Sequence, residues 1–264
     1  MKVTFLGCGN MAKAMIEGIV SKGVVDACDV TATTAHAETA QAAAAQLGIA
    51  VDTDNRAAVK GADVVVLAVK PYLYQDTIAQ IREDVPDGAV VATVAPGKTI
   101  AWVQEQFGRQ VKVVRTAPNT PAKVLAGLTG YCSSDSCTPE DVDAVKSLID
   151  SFGVSIEVPE KLMDVIATVG GSSPAFVYMF IEALADGGVS EGLPRDMALT
   201  VSAQAVLGAA KMVLESDDHP GTLKDRVCSP AGSTIKGVEQ LELGAFRGTV
   251  TNAIRMTTQA ARNL

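Results

Sequence analysis

The strongest constraint on the fold of this chain is a short run of small residues directly after its first apolar segment. Residues 2–6 alternate and carry β-branched or aromatic side chains, which predicts a strand. The run Gly7-Cys8-Gly9-Asn10-Met11-Ala12 follows at once, and an amphipathic helix pattern begins behind it. A G-x-G-x-x-A run between a strand and a helix is typical of a dinucleotide-binding βαβ unit. Its first glycine permits the tight turn, its second admits the pyrophosphate, and the alanine allows close helix packing.

The composition is that of a globular protein with a large core. The chain has 264 residues, 48% of them hydrophobic, which suits one or two domains. A net charge of -8 disfavours nucleic acid as a partner. We find no run long and apolar enough to span a bilayer, and the N-terminal strand leaves no signal-peptide pattern. We therefore expect a cytoplasmic protein without a membrane partner.

The five cysteines are scattered, with no C-x-x-C pair. Their odd number and spacing favour a reduced compartment over a disulfide framework. Cys132 and Cys137 have His219 as a conceivable third metal ligand. Thiols with such spacing are more often unrelated than joined by an ion, so we predict no metal site.

Strand-like and helix-like segments alternate up to about residue 158. The predicted strands cover 3–6, 29–32, 64–69, 89–94, 112–116, 129–133 and 155–158. The predicted helices between them cover 11–21, 38–47, 75–82, 100–107 and 139–152. This alternation predicts an α/β fold, with a doubly wound, mainly parallel Rossmann sheet in residues 1–158.

Strand signals stop after Pro159, and helical periodicity through residues 159–264 predicts a second, all-helical domain. Its long helices cover 175–187, 195–214 and 246–262. Residues 198–212 are apolar around most of the helix, which is typical of a helix buried on all sides. About a hundred residues rarely enclose such a helix alone. We therefore expect a second copy of the chain to cover it, and the alternative is a tightly wrapped single-chain domain.

The end of the second predicted strand indicates which dinucleotide binds. Folds that bind NAD usually carry Asp or Glu there for the ribose 2′-hydroxyl. Here residues 32–36 read Ala-Thr-Thr-Ala-His, without an acid. Thr33, Thr34 and His36 suit a 2′-phosphate instead, so we predict NADP, with NADPH preferred and NADH still accepted. The alternative for Thr34 is a purely structural helix N-cap.

Further segments are predicted at the same edge of the sheet. Asn55, in the connection before the strand at 64–69, is within reach of the adenine side of the cofactor. The strands at 64–69 and 89–94 both end at a proline, Pro71 and Pro96, which forces the chain out of the ladder. Loops at the carboxyl ends of parallel strands face the ligand.

Two other stretches differ from ordinary core sequence. Residues 115–121 read Arg-Thr-Ala-Pro-Asn-Thr-Pro, a rigid loop that is either a structural turn or part of the site. In residues 223–235, Ser-Pro followed by small residues marks the start of a new helix. The amides of Ala231, Gly232, Ser233 and Thr234 suit a carboxylate, and the alternative is an ordinary capped helix.

Together, these motifs resemble one family, the pyrroline-5-carboxylate reductases, which reduce a cyclic imine to proline with NAD(P)H. The strings that carry the resemblance are GCGNMA, AVKP, APNTPA, GGSSPAF, ALADGG, GLPRDMA, AQAVLGAAKM, HPGTLKDRVCSPAGSTIKGV and GAFRG, in the family's order and spacing. The long C-terminal string is the most specific, because other Rossmann reductases lack it. The resemblance implies helical domains that interlock in a homodimer, often within a decamer.

The resemblance also implies roles for individual residues. The cofactor contacts that it implies are Leu6, Gly7, Cys8, Gly9, Asn10, Met11, Thr34, His36, Asn55, Ala68, Val69, Lys70, Pro71, Ala95, Pro96 and Gly97. The substrate contacts that it implies are Glu160 and the cradle Ala231, Gly232, Ser233 and Thr234. The Thr234 hydroxyl is implied to hydrogen-bond the ring nitrogen. That leaves this hydroxyl, or water, as the proton relay, because neither histidine suits a general acid. Ala231 departs from the family, in which glycine is usual.

Two alternatives belong to other classes. A β-hydroxyacid dehydrogenase would carry a lysine base in the first helix of the second domain, and residues 175–187 contain none. A non-catalytic NADP-sensing protein would keep the first domain and lose the segment 229–235, which is present.

Overall fold

A computed structural model describes residues 1–95 and 97–262, and its strands form one sheet. The strands are β1 (Val3–Leu6), β2 (Val30–Thr33), β3 (Ala50–Asp52), β4 (Val64–Leu67), β5 (Val90–Thr93), β6 (Lys112–Pro118), β7 (Gly127–Ser133) and β8 (Gly153–Glu157). Their order is β3-β2-β1-β4-β5-β6-β7-β8, and all neighbours are parallel except β6 and β7. The predicted α/β class with a mainly parallel sheet is confirmed.

Helices connect the strands and make up most of the chain after the sheet. They are α1 (Asn10–Ser21), α2 (Ala37–Leu47), α3 (Asn55–Ala58), α4 (Tyr74–Ile81), α5 (Ile100–Phe107), α6 (Pro139–Asp150), α7 (Met163–Ile166), α8 (Ser173–Ser190), α9 (Arg195–Glu215), α10 (Pro220–Val227), α11 (Ser233–Leu243) and α12 (Phe246–Ala261). A π-helical turn, Ala167–Ser172, leads into α8.

The strand order places a switch point beside β1. The chain runs from β1 outward through β2 and β3 on one side, and then returns to β4 on the other side of β1. The connections that leave β1 and β4 therefore diverge, and ligands of doubly wound sheets bind in the crevice that this divergence opens at the carboxyl ends of the strands.

The core lies on both faces of the sheet. Val64 and Val66 of β4 pack on the face that carries α1 and α6, whereas Val65 and Leu67 pack on the face that carries α4 and α5. All four residues of β4 are buried. A central parallel strand covered on both faces reads as a continuous apolar run, which is why this strand is easily predicted.

The sequence does not predict β3 and α3. Strand β3 has only three residues, and their exposure follows no apolar pattern. It forms because its backbone pairs with β2, with Thr33 opposite Asp52. Asn55, predicted in the connection before the strand at 64–69, is the first residue of α3, whose N-cap Asp54 accepts hydrogen bonds from the backbone N–H groups of Arg56 and Ala57.

Contacts divide the chain into two compact units. Residues 173–257 form one unit, and the rest of the described chain forms the other. Residues 159–172, predicted in the helical domain, therefore pack with the sheet. The last strand ends at Glu157. The domain boundary after residue 158 stays a prediction.

Most side chains in the unit of residues 173–257 are exposed or half-buried. Helices α8 and α9 pack on each other, yet in this unit only Ala185, Ala198 and Ser202 are buried. The predicted apolar helix contains Leu207 and Met212, which are 61% and 55% exposed. The alternative of a tightly wrapped single-chain domain is therefore wrong, because the chain itself does not cover α9.

The expectation that no segment is long and apolar enough to span a bilayer is also wrong. Two helical runs, Glu160–Ser190 and Arg195–Glu215, meet that criterion of length and composition. Core helices of soluble proteins meet it as well. Only 11% of each apolar window is buried within the described chain.

Candidate functional site

The glycine turn between β1 and α1 combines one crowded and one open position. Gly7 has φ +98°, and a Cβ there would lie 2.9 Å from the backbone nitrogen of Val69. Gly9 is the N-cap of α1 without a side-chain cap, and a Cβ added to it meets nothing within 4 Å. Gly7 is therefore required by the fold, whereas Gly9 leaves empty space in front of the unpaired N–H groups of α1. That arrangement accepts an anion.

The other residues predicted in this turn have different exposures. Leu6 is fully buried, and its carbonyl accepts a hydrogen bond from Ala68 N (2.9 Å). Its contribution to the carboxyl edge of the sheet is therefore made by its backbone. Cys8 and Met11 are half-buried, whereas Asn10 is exposed at the first position of α1. Burial raises the pKa of the Cys8 thiol, which keeps the turn free of a negative charge at neutral pH.

Thr33 supports the turn from the side of β2. Its hydroxyl accepts a hydrogen bond from Gly7 N (3.2 Å) and donates one to Asn55 Oδ1 (2.7 Å). The Asn55 amide in turn donates to Gln80 Oε1 (2.9 Å). Because Thr33 is 2% exposed and its proton is used, it is not placed to donate to a phosphate, in contrast to the prediction. Thr33 and Asn55 support the glycine turn through these bonds, and the cofactor contact of Asn55 stays a prediction.

Thr34 and His36 lie at the start of α2. His36, not Thr34, is the N-cap residue, so the capping alternative for Thr34 is wrong. The Thr34 hydroxyl donates to the carbonyl of His36 (3.0 Å), and no side chain caps α2. His36 is exposed and Thr34 half-buried. The residues predicted to meet a 2′-phosphate thus stand beside uncapped N–H groups, although exposed Glu38 lies in the same turn.

The loops that leave β4 and β5 are arranged as predicted at the carboxyl edge. Ala68, Val69 and Pro71 are half-buried, while Lys70 is exposed. Ala95 is buried and Gly97 is half-buried, and Pro96 lies outside the described residues. Just after this loop, the Lys98 ammonium lies 4.9 Å from the centre of the Trp102 ring. Lys70 and Lys98 supply local positive charge in a chain of negative net charge.

Glu160 lies in an ion-pair network inside the first unit. Its Oε1 accepts from the backbone N–H of Ile100 (2.8 Å), at the start of α5, and from Arg115 Nη1 (3.3 Å). Arg115 Nη2 donates to Asp164 Oδ1 (2.8 Å). The Arg115 side chain is 5% exposed, whereas that of Glu160 is 36% exposed. Part of the Glu160 carboxylate thus holds the fold, and its contact with substrate stays a prediction.

A cavity of 450 Å³ adjoins this network. Its lining includes Cys132, Glu157 and Glu160. Burial, with the neighbouring Glu160 carboxylate, raises the pKa of the Cys132 thiol to about 11, so it is protonated and a poor metal ligand at neutral pH. Within the described ranges, no group of three His, Cys, Asp or Glu side chains is arranged to hold a metal ion.

The proline-rich loop around Asn119 is structural. The Asn119 side chain is 8% exposed, its amide donates to Gly170 O (2.9 Å), and its carbonyl accepts from Leu128 N (2.8 Å). It therefore ties the end of β6 to β7 and to the π-helical turn before α8. Of the two interpretations of residues 115–121, these bonds favour the structural turn.

The predicted carboxylate cradle, in the other unit, is a tight turn followed by α11. Gly232 N donates to Ser229 O (3.0 Å), and Ala231 has φ +59°. Proline at the second position and a positive φ at the third define a type II turn, so Ala231 occupies a conformation that glycine adopts more easily. The helix begins at Ser233, after N-cap Gly232, without a side-chain cap.

This geometry refines which cradle groups are available. The N–H of Gly232 is used in the turn, whereas the first-turn N–H groups, including those of Ser233 and Thr234, have no side-chain partner from the N-cap. Ser233 and Thr234 are exposed. The helix start offers amides and two hydroxyls at one place, which suits a carboxylate. The sequence predicts this site, but places its helix start near Pro230.

The functional sequence motifs therefore fall into two groups. The glycine turn and the starts of α2 and α11 keep N–H groups without a capping side chain. Arg115, Asn119 and Thr33 are buried and hold the fold. Sequence inspection misses Gln80, because an amide residue in an amphipathic helix carries no signal of its hydrogen-bond partner.

Comparison with known proteins gives the chain its family. Pyrroline-5-carboxylate reductases from Methanosarcina acetivorans and Escherichia coli are 37% and 38% identical to it, over all of this chain and 97% and 98% of theirs. The chain belongs to the pyrroline-5-carboxylate reductase family. The family of pyrroline-5-carboxylate reductase dimerisation domains matches residues 160–264, and that of NADP oxidoreductases described as coenzyme F420-dependent matches residues 2–97.

Solved structures of pyrroline-5-carboxylate reductases have the same fold. The enzyme from Coxiella burnetii is 30% identical with a TM-score of 0.92, covering 99% of this chain and 97% of that one. The Plasmodium falciparum enzyme, described with NADP bound, is 29% identical with a TM-score of 0.90, covering 100% and 97%. The predicted family resemblance is confirmed along the full chain.

Substitutions in the glycine turn should separate folding from binding. Gly7→Ala places a Cβ against Val69 at a positive φ, so the free energy of unfolding should fall by about 1–3 kcal/mol. Gly9→Ala adds a methyl group to open space, so it should change that free energy by less than about 0.5 kcal/mol. The same methyl group should raise the dissociation constant for NADPH at least about tenfold. Chemical denaturation and calorimetric titration measure the two quantities, and wild-type NADPH affinity in Gly9→Ala would contradict the assignment.

Proposed function

We propose that this chain reduces L-1-pyrroline-5-carboxylate to L-proline, with NADPH as the hydride donor. The carrying observation is the likeness to pyrroline-5-carboxylate reductases over the whole chain, which includes both the glycine turn and the α11 cradle. One imine, one hydride and one proton give one proline and oxidised dinucleotide. The proposal therefore requires a dinucleotide site, a carboxylate site and a route for one proton.

The first unit fits a dinucleotide. The open space at Gly9 faces the uncapped start of α1, where a pyrophosphate finds N–H donors and the positive end of the helix dipole. Residues 68–71 and Ala95 lie at the carboxyl ends of β4 and β5, on the side of β1 opposite β2. The β1–β3 side holds the adenosine half in this class of fold, which leaves the nicotinamide half to the other side.

NADPH rather than NADH is the preferred cofactor in this proposal. No acid occupies residues 33–36, and the start of α2 is uncapped beside Thr34 and His36. A 2′-phosphate therefore meets no carboxylate from residues 33–36, and Thr34 and His36 replace the predicted contribution of Thr33. The arrangement tolerates a 2′-hydroxyl, so NADH serves as a weaker donor.

The α11 cradle binds the substrate carboxylate in the proposed mechanism. The N–H groups of Ser233 and Thr234 bind and orient it, and Glu160 is proposed as a further substrate contact. The chemistry that NADPH supplies when bound is a hydride for the imine carbon. The Thr234 hydroxyl stabilises the ring nitrogen, and it or water passes on the proton. Holding two reactants in one orientation supplies much of the acceleration.

Two copies of the chain form the working unit in this proposal. The match of residues 160–264 to a dimerisation domain supports a second copy as the cover of α8 and α9. Burial of side chains such as Leu207 and Met212 supplies the driving force, since removing apolar area from water contributes about 25 cal/mol per Å². We propose a cytoplasmic homodimer, and a decamer of such dimers as its larger assembly.

The cofactor proposal is tested by NADPH and NADH oxidation with L-pyrroline-5-carboxylate. We expect proline to form with both donors. The kcat/KM should be higher with NADPH, because Thr34, His36 and the α2 amides bind the 2′-phosphate that NADH lacks. Absorbance of the reduced nicotinamide follows the rate, and amino-acid analysis identifies proline. Equal kcat/KM with both donors would contradict the preference. Tight NADPH binding without turnover would contradict the reaction.

The role of the Thr234 hydroxyl is tested by Thr234→Ala, with Thr234→Ser as the matched control. Losing one hydrogen bond to a charged centre costs roughly 1.5–3 kcal/mol, so Thr234→Ala should lower kcat/KM about ten- to a hundredfold. The NADPH dissociation constant should stay unchanged, and Thr234→Ser should retain most activity. Wild-type turnover in Thr234→Ala would remove Thr234 from the mechanism.

The association state is tested by light scattering. The 27.3 kDa chain should elute with at least twice that mass at micromolar concentration. Leu207→Arg places a charge on exposed α9 and should shift the population towards monomer, because an unpaired buried charge is costly. Val124→Arg, at a 74% exposed position outside the dimerisation segment, is the control. A monomeric wild-type chain would exclude the homodimer.

A further inference from the structure

Tyr74 is a buried polar side chain that the proposed reaction does not use. It is the first residue of α4, and it is fully buried. Its hydroxyl donates to the carbonyl of Leu67 (2.5 Å) and accepts from the N–H groups of Val94 (3.2 Å) and Ala95 (3.1 Å). One side-chain oxygen thus satisfies three backbone groups.

Those three groups lie where two neighbouring strands separate. The last paired residues of β4 and β5 are Leu67 and Thr93. Beyond them the two backbone segments separate and no longer pair. The carbonyl of Leu67 and the N–H groups of Val94 and Ala95 therefore need other hydrogen-bond partners. The Tyr74 hydroxyl takes the place of the strand-to-strand hydrogen bonds there and fixes the distance between the two backbone segments.

The backbone after Leu67 continues as the loop 68–71, and the backbone after Thr93 continues through Val94 and Ala95. Ala68 also donates from its N–H to Leu6 O (2.9 Å), and Val69 backs the Gly7 turn. On the far side of β5, the Thr116 hydroxyl donates to Thr93 O (2.7 Å). The loop after β4 is therefore fixed to β1 independently of Tyr74. Among these bonds, only those of the Tyr74 hydroxyl join the backbone after β5 to the backbone after β4.

We infer that Tyr74 is a positioning residue for the nicotinamide half of the dinucleotide site, because its hydroxyl sets the spacing between the backbone that leaves β4 at Leu67 and the backbone that leaves β5 at Val94 and Ala95. The inference rests on the proposed function in one respect, that a dinucleotide occupies this edge. Burial raises the pKa of the Tyr74 hydroxyl, so it stays protonated and keeps both its donor and its acceptor roles at any working pH.

Tyr74→Phe tests the inference, since it keeps the ring and removes only the bridging oxygen. We expect the NADPH dissociation constant to rise about tenfold, because two buried N–H groups and one carbonyl lose their partner and the loop after β5 relaxes. Adenosine 2′,5′-diphosphate, which lacks the nicotinamide half, should bind with the wild-type constant.

Direct binding measurements make the outcome independent of turnover. Quenching of the single tryptophan, Trp102, reports NADPH binding without substrate, and calorimetry measures the diphosphate. Tyr72→Phe is the matched control, because Tyr72 is 78% exposed two residues earlier. Wild-type NADPH affinity in Tyr74→Phe, or an equal loss for both ligands, would overturn the inference alone. No NADPH binding by the wild-type chain would overturn the proposed function and this inference together.

Hydrogen exchange in the wild-type chain provides a second measurement if Tyr74→Phe does not fold. The amides of Val94 and Ala95 should be protected without any ligand, to a degree close to that of β5, because the tyrosine oxygen holds both. The exposed amide of Lys70 is the internal comparison. Fast exchange of Val94 and Ala95 in the free protein would overturn the inference.

Discussion

The backbones of Gly7 and Val69 lie so close that no side chain fits between them. The nucleotide edge of the sheet depends on this approach, since it joins the turn after β1 to the loop after β4 at the switch point. Thr33 holds the same turn from β2 through Gly7 N, and Tyr74 extends the connection to β5. Four parallel strands are thus joined at their carboxyl ends by backbone contact and two side-chain hydroxyls.

This network holds the edge of the sheet through buried, hydrogen-bonded groups. The positions that face the cofactor in the proposal, such as Gly9 and the start of α2, lack capping side chains. The groups that hold them are buried and hydrogen-bonded, as Thr33 and Tyr74 are. A site in which supports are satisfied and donors are free binds an anion with little reorganisation, which is the physical meaning of preorganisation.

The two units achieve stability in different ways. In the sheet unit, apolar side chains fill both faces, and the buried Arg115 guanidinium is paired with Glu160 and Asp164. In the helical unit, apolar side chains remain exposed along α8 and α9, and the proposed homodimer would cover them. The family of pyrroline-5-carboxylate reductase dimerisation domains matches that region. This match agrees with the prediction from the sequence that a second copy covers the apolar helix.

The sequence alone determines the elements whose signal is local. The glycine turn, the central strands β1, β4 and β5 and the long helices follow from residue size, apolar period and helix-start chemistry. Tertiary structure decides what depends on pairing between distant residues. Strand β3 exists because β2 offers it a ladder, the Thr33 hydroxyl turns to Gly7 and Asn55 rather than to a phosphate, and Glu160 meets Ile100 and Arg115. A polar side chain shows its chemistry in the sequence, but its partner is set only when the fold brings the two together.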